Sequence, residues 1–302
     1  MKTPPFSFPV LTVFFLGLGA MTASAALHLL ESFDYVSEGN INGVSSYNGG
    51  TGFASAWQGT TTGTSFSVDD GLGHSHGGND PAGLTFSGLS ATGSFILTRV
   101  SAPGGAQVNR TINSTVASNM TSGTLYFSVL VRPKFYSVGN ENMAIMFGTS
   151  DILDPNAKPV TSASGDSIGF ALRGSGSEID FHAIAVDGGA TSISALGGIA
   201  DTSPQIHMIY GEITWGATDT ITLFNSTTNT DLSSFAQFAT LDATLNEGSF
   251  DTLHVAGQQV SSLDEIRFGS SLADIGITSI PEPSAALLGG LGTLLLLRRR
   301  KR

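Results

Sequence analysis

Between residues 26 and 280 the chain alternates apolar and polar positions over short runs, and clusters of Gly, Asn, Asp and Ser separate one run from the next. Thr124 to Arg132 sets Leu125, Phe127, Val129 and Val131 on one face, and Asp166 to Arg173 does the same with Ile168, Phe170 and Leu172. Glu178 to Val186 continues the habit. A period of two marks a strand with one face on a core, so these segments are expected as half-buried strands. Ile206 to Trp215 and Thr220 to Asn225 flank Gly216-Ala217-Thr218-Asp219, the spacing of a hairpin with a four-residue loop. Glu265 to Gly269 reads as the last strand. With no long amphipathic helical pattern between them, these strands predict an all-β chain, two antiparallel sheets packed as a β-sandwich. Residues 36 to 123, rich in Gly, Ser, Thr and Asn with turns at Gly49-Gly50, Gly77-Gly78 and Gly104-Gly105, read as long loops of the same sandwich or as poorly ordered chain. No clear linker divides 26–280, which reads as one body.

The two ends have a different pattern. In residues 1–25, Lys2 precedes an apolar run from Val10 to Ala20, and Ala23-Ser24-Ala25 meets the small-x-small rule for cleavage. A signal helix removed by signal peptidase is expected, with the mature chain beginning at about Ala26. Residues 281–302 open with Pro281-Glu282-Pro283, continue apolar from Ala285 to Leu297, and close on Arg298, Arg299, Arg300, Lys301 and Arg302. The apolar part predicts a single hydrophobic helix. At roughly 1.5 Å per residue, thirteen residues cover about 20 Å of a hydrocarbon layer ~30 Å thick, a marginal crossing suited to transient holding. The basic cluster would stay on the cytoplasmic side and leave the body outside. Retained anchors at either end are the alternative reading.

In order, triplet, apolar run and terminal arginines resemble the PEP-CTERM sorting signal of bacterial proteins associated with exopolysaccharide. That resemblance implies that an exosortase, a membrane transpeptidase-like enzyme, recognises Pro281, Glu282 and Pro283 and processes the tail. The body has its own resemblance. Glu31-Ser32-Phe33-Asp34-Tyr35, Gly211-Glu212-Ile213-Thr214-Trp215 with Asp219-Thr220-Ile221-Thr222-Leu223, and Leu263-Asp264-Glu265-Ile266-Arg267-Phe268-Gly269 look like segments of the concanavalin-A or laminin-G-like jelly rolls. A jelly-roll topology is what that likeness implies.

Charge narrows the partners. The body holds seven basic and 23 acidic residues, a net charge of −16, because six of the thirteen basic residues lie in the two ends. Such a surface repels phosphate backbones and anionic headgroups, which excludes nucleic acid and favours divalent cations and neutral glycans. The chain has no cysteine although it reads as exported, so its stability is expected from a large core or bound cations.

Candidate chemistry is sparse. Glu178-Ile179-Asp180-Phe181-His182 resembles the Glu-x-Asp-x-Glu strand of retaining β-glucanases, in which alternate side chains share one cleft as nucleophile, assisting carboxylate and general acid. His182 stands where the acid is needed, so the leaving oxygen lacks its matched proton donor. Gly73-His74-Ser75-His76-Gly77 satisfies Gly-x-Ser-x-Gly, but no strand-to-helix elbow surrounds it. His74 and His76 with Asp69, Asp70 and Asp80 offer metal ligands without an established zinc spacing. For a structural calcium, Glu31 and Asp34 beside Asp264, or Asp151 with Asp154 and Asn156, would supply oxygens. Asn109, Asn113, Asn119 and Asn225 begin glycosylation sequons that reflect composition more than modification. Tyr47, Trp57 and Trp215 are candidates for stacking on sugar rings or, more commonly, for core packing.

The expectation is therefore an exported cell-surface or extracellular-matrix protein, not an enzyme, with no assigned catalytic or cofactor residue and with extracellular polysaccharide as the candidate partner. An extracellular carbohydrate-active enzyme and a purely structural coat component are the competing classes.

Overall fold

In Thr124–Pro133 the alternation separates two layers. Leu125, Phe127, Val129 and Val131 enter the main core, while Leu130 joins a second apolar cluster behind the strand. The computed structural model of the chain describes residues 26–35, 39–41, 47–59, 65–69, 83–89, 95–99, 106–133, 142–150, 153–154, 161–162, 165–175, 178–194, 205–258 and 261–278.

Strands are numbered in chain order. One sheet runs β16 (Ala236–Ala243), β15 (Asp219–Ser226), β14 (His207–Thr214), β7 (Thr124–Pro133), β18 (Ser261–Gly269), β5 (Phe95–Arg99), β4 (Ser65–Asp69) and β2 (Gly39–Asn40), with β1 (Leu27–Glu31) also on β18. The other runs β13 (Ala190–Ile193), β12 (Glu178–Asp187), β11 (Ser167–Ser175), β8 (Asn142–Gly148), β17 (Thr252–Gln258), β6 (Ala106–Thr111) and β3 (Gln58–Gly59). A two-stranded ribbon, β9 (Leu153–Asp154) with β10 (Thr161–Ser162), completes the described strands. Neighbouring strands pair antiparallel throughout. The main core lies between the two large sheets and draws on both, as Ile209, Ile221 and Phe268 of the first meet Phe147, Phe170, Phe181 and Val255 of the second. The expected all-β sandwich is the observed class. Both terminal segments, 1–25 and 281–302, lie outside the described residues, and among the described residues no helix is long and apolar enough to cross a membrane.

Three expectations need correction. First, the strands are buried on both faces. Ala144, Met146, Ala171, Ile184, Val186 and Ala256 form a buried cluster on the outer face of the second sheet, and Leu84, Phe86, Leu130, Met208, Tyr210, Ile275 and Ile277 form one on the first. Many out-facing positions are small or apolar, so the alternation in the sequence separates large from small side chains as well as apolar from polar.

Second, residues 36 to 123 are not simply loops, since they supply β2 to β6 and a helix, α1 (Ser114–Met120). These strands are only two to six residues long, too short to display a period. Asn113, noted as a sequon, caps α1 by accepting the Thr115 N–H at 3.0 Å, and Ala117 and Met120 face the core.

Third, the last strand begins at Ser261 and is broken by a bulge between Asp264 and Arg267. The same edge of β18 serves two partners, β5 at Ser262–Leu263 and β1 at Ile266–Gly269, and the bulge falls at the change. Glu265 takes a left-handed φ of 51° there. The hairpin expected at 216–219 is present with Trp215 to Thr218 as its loop, so Asp219 belongs to β15. A tighter hairpin joins β12 to β13 through Gly188 and Gly189 at φ 52° and 91°, the backbone that a two-residue turn requires.

Candidate functional site

Two polar centres stand out among the described residues, one saturated with partners and one not. The saturated centre forms where β1 ends. Glu31 is 1% exposed and accepts from the Phe33 N–H at 3.0 Å, the Trp57 indole N–H at 3.1 Å and the Tyr35 hydroxyl, which lies 3.1 and 3.0 Å from its two oxygens. Arg110, near the end of β6, completes an ion pair with it. The guanidinium also donates to the Ser55 carbonyl at 2.7 Å and the Asn48 side-chain oxygen at 2.9 Å, and lies 3.9 Å over the Phe53 ring. Phe33 stacks on Trp57, and Tyr35 meets Tyr47 edge-on. Burial pushes the Glu31 carboxyl above the ordinary range, and Arg110 is the largest influence pulling it back. Burial and the Glu31 charge push the Tyr35 hydroxyl up, which keeps it a donor.

This arrangement bears on the first of the two calcium ligand sets, Glu31 and Asp34 beside Asp264. Glu31 already has an arginine for its counter-ion, Asp34 is exposed, and Asp264 has separate partners, accepting from the Leu84 N–H at 2.9 Å and the Glu265 N–H at 2.8 Å. Asp264 is 0% exposed, and that burial drives its carboxyl up to about 8 against the pull of the two amides. Among the described residues no group of three or more His, Asp or Glu is placed to hold a metal. Asp70, His74, Ser75, His76 and Asp80 lie outside the described residues, as do Asp151, Asn156 and the sorting residues Pro281, Glu282 and Pro283. The Asp69 and Asp154 side chains also lie outside what is described. Trp57 and Tyr47 are buried in the first centre, and Trp215 donates its indole N–H to the Met120 carbonyl at 2.7 Å. Trp57 and Tyr47 are therefore not presented for stacking on a ligand, while Trp215 packs half-buried against the core.

The unsaturated centre lies across the outer face of the second sheet. Register places Gln107, Ala256, Ala144, Ala171 and His182 side by side on five consecutive strands. At about 4.8 Å per strand the row is about 19 Å long. On β12, Ile179, Phe181 and Ala183 enter the core, so Asp180 and His182 share the opposite face as the spacing predicts. The Glu178 side chain is not among those described.

His182 is 2% exposed, and its Nδ1 lies 3.2 Å from the Ser194 carbonyl oxygen. A carbonyl only accepts, so Nδ1 carries a proton, and in the neutral form of the ring Nε2 is a lone-pair acceptor. That Nε2 is buried with no hydrogen-bond partner. At the far end, His254 donates from Nε2 to the Thr149 carbonyl at 2.6 Å and accepts at Nδ1 from the Gln107 amide at 3.0 Å. Gln107 Oε1 and Thr149 Oγ1 are then left buried without partners. An unmet buried polar atom costs about 1–3 kcal/mol, and two of these, Gln107 Oε1 and His182 Nε2, lie on this face.

No family model matches the chain, and no curated protein matches it. Among solved structures it is similar to the carbohydrate esterase vb_24B_21 of the Shiga toxin-encoding bacteriophage phi24B, at 11% identity over 81% of this chain and 98% of that one, with a TM-score of 0.42. It is similar also to a GH43 glycoside hydrolase, at 10% identity over 58% of this chain and 34% of that one, with a TM-score of 0.38. The globular domain of T. cruzi calreticulin gives 12% identity over 64% of this chain and 79% of that one, with a TM-score of 0.38. Likeness at this level carries no inference about chemistry.

Proposed function

We propose that the chain is an exported, surface-associated β-sandwich that contacts extracellular polysaccharide without cleaving it. In this reading residues 1–25 direct export and residues 281–302 hold the protein in the membrane until an exosortase acts at Pro281-Glu282-Pro283. The body between them has a jelly-roll topology.

One observation carries the reading. The described strands all fall between the two sorting segments. The first residue of the sandwich, Ala26, is fastened to Ser270 and Asp274, and Thr278 at its other end exchanges backbone hydrogen bonds with Thr230 and Leu232. Replacing Pro281, Glu282 and Pro283 with alanine should leave unprocessed protein in the inner membrane, and normal release would refute the assignment.

For the polysaccharide, support comes from the acidity of the body, which repels phosphate backbones and anionic headgroups and suits neutral glycans. Retention of the exported protein on polysaccharide beads without release of sugar is the expected result, and failure to bind would refute it. A second reading, a hydrolase, is favoured by one feature: a neutral imidazole held through Nδ1 with a free Nε2 is the form of a general base. Release of reducing sugar that disappears in His182→Gln would establish that reading and displace the first.

A further inference from the structure

The nitrogen of Ala26 sits against more acceptors than an amide can use. It lies 3.1 Å from Ser270 Oγ and 3.1 Å from Asp274 Oδ2. Asp274 is held in place for it, because the same oxygen accepts from the Ser271 N–H at 2.9 Å and the Ser271 hydroxyl at 2.8 Å. The site is closed from the other side, where the Ser270 N–H donates to the Ala26 carbonyl at 3.2 Å. Gly269 lets the aspartate approach, since a Cβ there would meet Asp274 Cβ at 2.3 Å. While Ala26 is joined to Ala25 its nitrogen has one hydrogen for two acceptors, one of them a carboxylate. An ammonium at the same place has three hydrogens and a positive charge.

We propose that Ser270, Ser271 and Asp274 form a receptor for the α-ammonium of Ala26, so that removal of the leader creates an ion pair the unprocessed chain lacks. The inference rests on the export reading. Signal peptidase hydrolyses the Ala25–Ala26 amide with one water, leaving a carboxylate on Ala25 and an amine on Ala26 that takes up a proton at neutral pH. The new charge meets Asp274 where its nitrogen already lies. Processing thereby locks β1 to the turn that follows β18, and β1 delivers Glu31 to the Arg110 centre.

The test uses the exported protein in two N-terminal forms. Inserting one glycine between Ala25 and Ala26 keeps the Ala23-Ser24-Ala25 cleavage rule but returns the Ala26 nitrogen to an amide. Each form is made with Asp274 and with Asp274→Asn, and unfolding is followed in urea. N-terminal sequencing should find Ala26 first in the unmodified protein. The glycine should raise its unfolding equilibrium constant about fivefold and leave the Asp274→Asn background unchanged, a coupling of the size of a partly exposed ion pair. Should Asp274→Asn fail to fold, the loss on glycine insertion still has to appear with Asp274 present. A start at Ala26 with no loss, or an equal loss in both backgrounds, overturns the receptor while leaving export intact. Cleavage elsewhere overturns the receptor alone, and an uncleaved Met1 overturns the export reading with it.

Discussion

The Glu31–Arg110 centre and the His182–Gln107 face are both buried, yet one has every group engaged and the other leaves acceptors open. At Glu31 five partners converge on one carboxylate and its arginine, Phe33, Tyr35 and Trp57 on the first and Asn48 and Ser55 on the second. Across the second sheet, His182 and Gln107 each meet one polar neighbour through one atom and leave another unmet. The difference separates two uses of polarity. A completed network fixes chain segments relative to each other, whereas an incomplete one keeps binding capacity in reserve.

The comparison breaks most readily at its saturated end. Arg110→Met should cost about 3–5 kcal/mol in a urea titration, because it strands Glu31 as an unpaired buried carboxylate. A loss below about 1 kcal/mol would place the centre among ordinary surface pairs.

Asp264 lies between the two cases, paired to amides but without a cation. Its folded pKa of about 8 exceeds the ordinary 3.8, so its contribution to stability is complete below about pH 4 and is lost progressively as pH rises toward about 8. Between about pH 5 and about pH 7 the wild type should lose about 2–3 kcal/mol from this group, and Asp264→Asn should remove that slope. Melting curves at several pH values decide the matter; identical slopes would show that Asp264 ionises freely in the fold.

Trp57→Phe keeps the ring but withdraws one donor from Glu31, and a cost of about 1 kcal/mol is expected from chemical denaturation. The smallest effect belongs to the unsaturated face. His182→Leu exchanges a half-met imidazole for an apolar group of similar bulk, and the stability change should stay under about 1 kcal/mol. A loss as large as that at Arg110 would mean that the open nitrogen has a structural partner after all.

The inner faces of the long strands were legible in the sequence because their spacing is local. Phe127, Phe170 and Phe181 all enter the core as the period of two requires. The shared face of Asp180 and His182 was legible for the same reason. What covers the outer faces was not, since Leu84 and Phe86 lie in a stretch with loop composition and reach Leu130 and Ile275 only through the fold. The partners of the buried charges were hidden by distance along the chain. Glu31 and Arg110 are 79 residues apart, and Asp264 is 180 residues from Leu84. Arg110 gave one hint, as one of only seven basic residues in an acidic body, standing beside Val108 in a strand that is otherwise uncharged.

The short stretch from Ser270 to Thr278 receives the front of the sandwich at Ala26 and carries its rear within a few residues. It therefore runs from the Gly269 end of β18, past Ser128, to the turn after β15 that holds Thr230. A linker of about ten residues joining Ala26 to Thr278, with new ends opened at the Gly188-Gly189 tip, should yield a circular permutant with the same sheets.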